Sequence, residues 1–491
     1  MLKSAVFSMS LKRGGLFSFF LFVVCFTFAR NISPLEYGLS DATNGIERFN
    51  VLMRTHVIAD SLGCGVSYDG IAKIEIYIPK SANGIPLTKY TDFGGVEIIV
   101  RNMQKHLSLF VLNNDLSQID VSKEEIEKGD FRKIEQLRQG RKLLVIEDQT
   151  PWVKNRRGYN YGADRKDILL LQDGKAVNKT IATYNNDVSM PQVSFCDTDN
   201  DPIIIKNLVF TRSTDSKYIT YLFSIHNQND VTISNVSVNT PEDSALYGDA
   251  CFSISNCANI TMADININGT YSQSNKFGYG FSMNNVWNSL FERIKAFGKW
   301  GVFGTNNMNF VTIVDSDINR FDIHCYGRDV YCENVSFKDL YNQFSSIYGK
   351  VDFNRCFFNN CIPVLYESSY NAYTPFDLNF KNCSFKLNNK NNYIITLFGV
   401  SRAYNDRPEL CRKCLPNITI IDSTVELGDD VSNWYLIQTG GSQYKDTFDY
   451  ISNIKLKKVI VHNSKNKTFY LYSEPIKTTK NVKKTIKIVS K

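Results

Sequence analysis

The chain has 491 residues, of which 43% are hydrophobic and 21% are charged. This apolar content is enough for a continuous core, so the composition excludes an intrinsically disordered protein. The net charge of +7 is modest and is partly explained by a lysine-rich segment over residues 476–491, which we interpret as a solvated basic tail. No nucleic-acid-binding motif accompanies these lysines, so we expect no nucleic-acid partner.

The N-terminus has the pattern of a secretory signal peptide. Lys12 and Arg13 precede an apolar run over residues 16–28, and the small residue Ala29 follows it. The run is too short to span a bilayer, and no later stretch is long and apolar enough for a membrane helix. We therefore predict that residues 1–29 are removed and that the mature protein is secreted, or is held in the periplasm or at the cell surface.

Residues 30–114 predict a capping helix followed by the first β-rich coils. Asn44 can cap a helix over residues 44–62, with Glu47 three residues further on. The face that we predict to be buried consists of Ile46, Phe49, Met53 and Val57. Strand-like segments follow at residues 74–79, 96–102 and 107–113. A helix here would cover the open first coil, which protects the edge from aggregation.

Residues 115–192 interrupt this pattern, and we interpret them as an insertion or side module. Residues 123–139 are highly charged, and residues 152–166 mix aromatic residues with cations. An aromatic and cationic mixture suits stacking on sugars, but a packed loop with no such role explains the composition as well.

Residues 193–475 repeat one short β-rich pattern with Asn or Asp just past its middle. The ten positions that we set as equivalent are Ile204, Thr232, Thr261, Leu290, Thr312, Tyr331, Asp352, Asn379, Thr419 and Lys455. They are separated by 28, 29, 29, 22, 19, 21, 27, 40 and 36 residues. A period in the twenties, with no helix between the strands, is typical of a coiled β-solenoid.

A second strand precedes the first in most repeats. Its alternation predicts an inward column of Phe223, Phe252, Phe281, Val302 and Phe321. A ladder of side-chain amides is expected at the following turn, from Asn227, Asn256, Asn285 and Asn306.

The cysteines do not indicate a complete disulfide framework. Loss of Cys25 with the signal peptide leaves an odd number of them. Cys411 and Cys414 form a lone CxxC that could pair or bind metal, and its state stays open. Cys356 and Cys383 occupy equivalent positions in neighbouring coils, where we expect them to stack as small buried hydrophobic residues.

The capping helix, the short parallel strands and the asparagine ladder together resemble the right-handed parallel β-helix proteins of the pectate-lyase-like superfamily. The stretch over residues 300–327 is also similar to a motif of secreted bacterial members. The resemblance implies an all-β, single-stranded right-handed parallel β-helix with carbohydrate bound along the sheet formed by the second strands. Members include polysaccharide lyases, glycoside hydrolases, epimerases and phage tailspikes, so the fold does not select the reaction.

The outward face of that sheet is predicted to carry mostly small polar residues. Coil by coil they are Ser224 and His226, Ser253 and Ser255, Ser282 and Asn284, Phe303 and Thr305, then Arg320, Asp322 and His324, then Ser346 and Tyr348. The coil with Arg320, Asp322 and His324 differs, because it places a cation, a carboxylate and an imidazole on one face.

This trio suits β-elimination, which needs a base beside a uronate carboxylate and a positive charge to stabilise the developing anion. His324 or Tyr348 could exchange protons, Arg320 could neutralise the uronate, and Asp322 could orient either of the first two. Trp300 could stack on a sugar. A purely structural pairing of Arg320 with Asp322 explains the same pattern.

The substrate-binding residues that we predict are Trp300, Thr305, Asn284, Ser255, His226 and Glu367. His226 is four coils from His324, roughly 19 Å, and is at best a distant subsite. Hydrolysis would need a second carboxylate, for which Glu367 is a candidate. We expect no metal and no cofactor, since no acidic cluster suited to calcium is visible.

The sequence thus predicts an exported carbohydrate-active enzyme, with a polysaccharide lyase acting on an acidic glycan as the leading hypothesis. A glycoside hydrolase and a non-catalytic glycan-binding or adhesive surface protein are the alternatives. The expected partner is a polysaccharide. Many tailspike-like β-helices form trimers, so a homotrimer is left open.

Overall fold

The computed structural model describes residues 31–41, 43–101, 107–153, 163–180, 191–213, 219–239, 250–268, 279–297, 301–324, 327–344, 347–367, 376–398, 416–439, 453–473 and 481–490. The predicted signal peptide, Trp300, Ser346, Cys411 and Cys414 lie outside these residues. Within them the chain forms a right-handed parallel β-helix, as predicted, with a small antiparallel sheet beside it.

The capping helix spans Gly45–Leu62, after a short 3₁₀ helix over Pro34–Tyr37. The Asn44 side chain caps it by accepting a hydrogen bond from the backbone N–H of Glu47 at 2.9 Å. The predicted buried face is wrong in part, because Ile46 and Val57 are about half exposed. The buried stripe instead runs through Phe49, Leu52, His56 and Ala59. His56 fits in this stripe because the Tyr68 hydroxyl lies 2.9 Å from its Nε2.

Each coil of the helix contributes one strand segment to each of three parallel sheets, which we call sheets A, B and C. In one coil, Ile219–His226 belongs to sheet A, and Asn229–Asn239 bends to supply both sheet B and sheet C. Its inward side chains are all buried: Phe223, Ile225, Val231, Ile233, Val236 and Val238. The bend between sheets B and C falls at Asn235, which has φ of 52°.

The strands before the side module are Val66–Ser67, Lys73–Tyr77, Ile85–Pro86, Tyr90–Asp92, Glu97–Arg101 and Leu107–Asn113. Those after it, up to the middle of the solenoid, are Ile203–Arg212, Ile219–His226, Asn229–Asn239, Ala250–Asn268, Tyr279–Glu292, Lys295–Ala296, Gly301–Val314, Asp317–Ile318, Phe321–Ile323, Gly327–Glu333, Ser336–Lys338 and Tyr341–Phe344. The remaining ones are Ile347–Asn354, Phe357–Asn359, Ile362–Glu367, Phe376–Lys381, Ser384–Leu387, Tyr393–Phe398, Asn417–Ile421, Thr424–Leu427, Asn433–Thr439, Asn453–His462, Thr468–Tyr472 and Lys483–Ser490.

Sheet B confirms the predicted repeat register at every step. Ile204 pairs with Thr232, Thr232 with Thr261, and the pairing continues through the other predicted positions to Thr419 and Lys455. The Asn or Asp of the pattern marks the bend between sheets B and C, where the chain needs a left-handed residue. Residues with φ between 48° and 64° at this bend are Asn207, Asn235, Asp264, Arg293, Asp315, Asn334, Arg355, Asn382, Asp422 and Lys458. Asn and Asp tolerate that conformation better than other non-glycine residues.

Sheet A encloses a stack of phenylalanines, and here one predicted coil is shifted by one residue. The rings of Phe223, Phe252, Phe281 and Phe303 stack with centroids 4.7–5.3 Å apart. Phe303 therefore points inward, whereas the sequence pattern had placed it outward with Val302 inward. Because Phe281 pairs with Phe303, the sheet A part of this coil moves by one position, whereas its sheet B part keeps the predicted pairing of Leu290 with Thr312.

The asparagine ladder shows the same shift. The Asn256 amide donates to the Asn227 side chain at 3.2 Å, and Asn285 donates to Asn256 at 2.9 Å, as predicted. The next left-handed residue is Asn307, with φ of 53°, and not Asn306. The ladder is therefore confirmed for three members and corrected by one position for the fourth.

The side module is a five-stranded antiparallel sheet that runs beside the corner between sheets A and B. Its strands, in spatial order, are Lys175–Ala176, Ala163–Gln172, Arg141–Val153, Gln192–Thr198 and Ser117–Ile119, and a short helix spans Lys123–Lys128. Leu143, Val145, Ile168 and Leu170 of this sheet form an apolar cluster with Ala258 and Trp287 of the solenoid. An ion pair of 2.5 Å joins Arg141 to Asp230 across the same contact.

The solenoid continues beyond residue 475, where the sequence pattern had placed its end. Lys483–Ser490 pairs in parallel with Asn453–His462, so part of the predicted basic tail forms a strand of the last coil. Cys356 and Cys383 are buried in neighbouring coils, as expected for small hydrophobic residues. No helix in the described part of the chain is long and apolar enough to cross a membrane.

The buried His56 makes the stability of the cap dependent on pH. Burial lowers the pKa of His56 from 6.5 to about 3. Because the unfolded chain then binds more protons below pH 6.5, the free energy of unfolding falls as the pH drops from 7 towards 3. Between pH 7 and pH 5 we expect a loss of about 2 kcal/mol from this residue.

Denaturant unfolding of the wild type and of His56→Gln at both pH values tests this expectation. Glutamine does not titrate and can still bond to the Tyr68 hydroxyl, so the pH-dependent loss should be smaller in the variant by about 2 kcal/mol. An equal loss in the two proteins would contradict it.

Candidate functional site

Three of the residues singled out by the sequence, Arg320, Asp322 and His324, lie together at the outer face of sheet A. Asp322 lies in the strand Phe321–Ile323, and His324 follows it directly. The pairing register places Asp322 in one outward column that reads Ser224, Ser253, Ser282, Gly304, Asp322 and Gln343 from coil to coil. This column has serine in three successive coils, glycine at Gly304 in the next, and the carboxylate of Asp322 in the coil after that.

Asp322 is fully buried although it points to the outer face. Its Oδ2 accepts hydrogen bonds from the Tyr279 hydroxyl at 3.0 Å and from Arg320 Nη2 at 2.6 Å. Its Oδ1 accepts from the backbone N–H of Gln343 at 3.2 Å. The side chain has 0% exposure, compared with 14% for the neighbouring His324. The carboxylate is thus fixed by three donors and covered, whereas the imidazole of His324 is partly exposed on the outer face.

Tyr279 joins Asp322 to His324. Its hydroxyl lies 3.2 Å from Nε2 of His324, and the two rings meet edge to face at 5.9 Å. The tyrosine ring lies against Gly304 of the following coil, where a Cβ atom would be only 2.4 Å from Cδ2 of the ring. Gly304 is therefore the residue that lets Tyr279 reach across the sheet to the carboxylate and the imidazole.

Arg320 is enclosed on the same face. Its guanidinium carbon lies 4.1 Å from the centroid of the Tyr341 ring, and Nη2 also contacts the Gln343 side chain at 3.3 Å. Burial alone would lower the pKa of Arg320, but the Asp322 carboxylate outweighs it and the pKa lies above its usual value. The predicted outer-face position of Asp322 is therefore correct, but the expected solvent exposure of Arg320 and Asp322 is wrong, because the two form a covered ion pair.

Two of the predicted site residues lie elsewhere. Thr305 is fully buried, because its coil is shifted by one position, and its hydroxyl donates to the backbone oxygen of Asp322 at 2.6 Å. Tyr348 is not on sheet A beside His324, because the register pairs it with Arg328 beyond the corner. There burial raises the pKa of Tyr348, and the nearby Arg165 of the side module partly offsets the rise.

The remaining candidates occupy outward positions away from the cluster. His226, Ser255 and Asn284 share one half-buried column of sheet A, in which Asn306 follows. His226 contacts the hydroxyls of two serines, Ser224 at 3.3 Å and Ser253 at 3.4 Å. Burial lowers the pKa of His226.

Glu367 continues the column of His324 two coils further on. Ile323 pairs with Phe344, and Phe344 pairs with Tyr366, so Glu367 follows Tyr366 as His324 follows Ile323. Trp300 lies outside the described residues. Among those residues no group of three His, Cys, Asp or Glu side chains is arranged to hold a metal ion.

Tyr279 is the functional candidate that the sequence reasoning missed. It begins its strand two residues before the inward Phe281, so strict alternation places it inward, whereas its hydroxyl reaches Asp322 and His324 on the outer face. The available signal was Gly304, because a glycine that interrupts a column of outward serines indicates that another group lies on the backbone there.

No protein-family model and no curated protein match this chain. Among solved structures it is similar to the gp54 tailspike of Acinetobacter baumannii bacteriophage AP22, solved in complex with A. baumannii capsular saccharide. That match has a TM-score of 0.53 and 11% identity, and it covers 92% of this chain and 74% of the tailspike. The tailspike gp49 from Pseudomonas phage LKA1 matches with a TM-score of 0.49 and 11% identity, over 92% of this chain and 79% of that one. At this identity the likeness shows the shared β-helix fold alone.

The contact between Tyr279 and Gly304 predicts a strong energetic coupling. Gly304→Ala should lower the free energy of unfolding by about 1–3 kcal/mol in the wild type, because the new methyl group must displace the tyrosine ring. In a Tyr279→Ala background the same change should be neutral or stabilising by up to about 1 kcal/mol, since alanine suits a strand better than glycine.

Denaturant unfolding of the four proteins of this double-mutant cycle measures the coupling. A similar cost of Gly304→Ala in both backgrounds would show that the tyrosine ring does not rest on Gly304.

Proposed function

We propose that this protein is an exported carbohydrate-active β-helix protein and that it acts as a polysaccharide lyase on an acidic, uronate-containing glycan. The observation that carries the proposal is the imidazole of His324, held on the outer face of sheet A by the Tyr279 hydroxyl at 3.2 Å. The likeness to a tailspike solved with a capsular saccharide supports a glycan as the ligand class.

In a β-elimination, a base removes the proton on the sugar carbon that carries the carboxylate. The electron pair left behind forms a double bond to the neighbouring carbon, the glycosidic C–O bond breaks, and the leaving oxygen takes up a proton. We assign proton removal to His324, which then carries the proton that the leaving oxygen needs. Tyr279 holds the imidazole in place. Arg320 is paired with Asp322, so in this proposal it supports the cluster and does not neutralise the uronate.

Hydrolysis is the second candidate, because Glu367 lies two coils beyond the coil that carries Asp322. That offset is roughly 10 Å between the two backbones at the usual strand spacing. Inverting hydrolases place two carboxylates about 6.5–9.5 Å apart. Asp322 argues against this candidate, because a carboxylate with 0% exposure and three donors bound to it is poorly placed to exchange protons with a substrate.

Incubation of the purified protein with a panel of uronate polymers tests the proposal, with the absorbance of unsaturated uronate products as the readout. His324→Ala should lower kcat/KM by about 10²–10⁴-fold, the usual contribution of a general base. Tyr279→Phe, which removes the hydroxyl and its hydrogen bonds to Asp322 and His324, should lower it by roughly tenfold.

Matched controls are His462→Ala, an exposed histidine near the C-terminal end, and Tyr348→Phe, a tyrosine beyond the corner of sheet A. Both should keep wild-type activity. Unsaturated product that persists in His324→Ala would rule out this site. Reducing ends without unsaturation would indicate hydrolysis, and saturable binding without any product would indicate a glycan-binding protein.

A further inference from the structure

The hydroxyl of Tyr279 has one proton and two polar neighbours in the cluster. Its oxygen lies 3.0 Å from Oδ2 of Asp322 and 3.2 Å from Nε2 of His324. The hydroxyl can donate its proton in only one of these two contacts. If it donates to Asp322, the hydrogen bond with His324 must be donated by the imidazole.

Asp322 determines this direction because it can only accept. Its Oδ2 is paired with Nη2 of Arg320 at 2.6 Å, and its Oδ1 accepts from the backbone N–H of Gln343 at 3.2 Å. An ionised carboxylate has no proton to donate. The phenol proton therefore points at Asp322, and an oxygen lone pair of Tyr279 faces the imidazole.

We infer that His324 is held as the Nε2–H tautomer, with its lone pair on Nδ1, and that Tyr279 and Asp322 are the positioning residues that fix it. Nε2 donates its proton to the Tyr279 oxygen, and the carboxylate Oδ2 of Asp322 at 3.5 Å favours a proton on the same nitrogen. The same direction holds when the ring is protonated, because both nitrogens then carry hydrogen.

The assignment of this tautomer adds detail to the proposed function, and its role in catalysis rests on that proposed function. If His324 is the base, Nδ1 is the atom that receives the sugar proton, and the chain Arg320, Asp322, Tyr279 and His324 stabilises the imidazolium that results. The logic is that of other buried carboxylates that hold an imidazole in one tautomer, here with a phenol inserted between the two groups.

Nitrogen NMR of the full-length protein labelled with [¹⁵N]histidine tests the inference without any substrate. Spectra are recorded at increasing pH, and those above the pH at which the ring signals stop changing report the neutral ring. The His324 signals are identified by their loss in His324→Gln. We expect a protonated Nε2 and an unprotonated Nδ1, with a slowly exchanging Nε2 proton that is visible in the spectrum.

Tyr279→Phe removes the acceptor and should abolish the protected Nε2 proton signal, leaving a mixture of tautomers. Tyr348→Phe is the matched control and should leave the spectrum unchanged. A proton on Nδ1 of wild-type His324, or an Nε2 signal that is the same in Tyr279→Phe, would overturn the inference. Because the spectra need no substrate, an inactive protein on every glycan would refute the proposed function and leave this test intact.

Discussion

In-register parallel pairing of successive coils is the constraint on which the rest of this structure depends. Each coil places its residues directly over their equivalents in the coil before, so a position is repeated as a column along the whole molecule. Inward columns must be apolar, which produces the stacked rings of Phe223, Phe252, Phe281 and Phe303. Corner columns must accept left-handed backbone, which favours Asn and Asp. The outward columns carry neither requirement, so function can be built there.

The candidate site arises where the coils are shortest. The steps between equivalent positions fall from 29 residues to 22, 19 and 21 across Leu290, Thr312, Tyr331 and Asp352. In this region the sheet C strand Asp317–Ile318 is followed, after two residues, by the sheet A strand Phe321–Ile323. Arg320 therefore lies at the corner, close enough to pair with Asp322 on the same coil. A longer connection between the sheet C and sheet A strands would not hold the Arg320 guanidinium next to Asp322.

The repeated sequence pattern predicted the features that recur in every coil. It missed the features that occur in one coil and depend on a single contact, such as that between Tyr279 and Gly304. The sheet B register was correct at every step, because Asn or Asp occupies the bend in seven of the ten repeats and aligns them. The sheet A segment after Gly301 was misplaced by one residue, since Gly304 carries no side chain to show that it is an outward position. That shift misassigned Thr305. Tyr348 was misplaced because alternation does not count residues that form a corner.

The buried ion pair of Arg320 and Asp322 is better explained by positioning than by stability. Taking both charges out of water costs several kcal/mol per ion, and apolar replacements of such pairs are often neutral or stabilising. Apolar residues pack well in this region, since Phe321 and Ile323 on the same strand are both fully buried. An apolar pair could therefore stand in place of Arg320 and Asp322. A glycine at position 304 also weakens its strand, and the space that its missing side chain leaves is occupied by the Tyr279 ring. Together these unfavourable contributions are offset by a defined arrangement. The Asp322 carboxylate only accepts hydrogen bonds, the Tyr279 hydroxyl donates to it, and the His324 imidazole is fixed at the surface of sheet A.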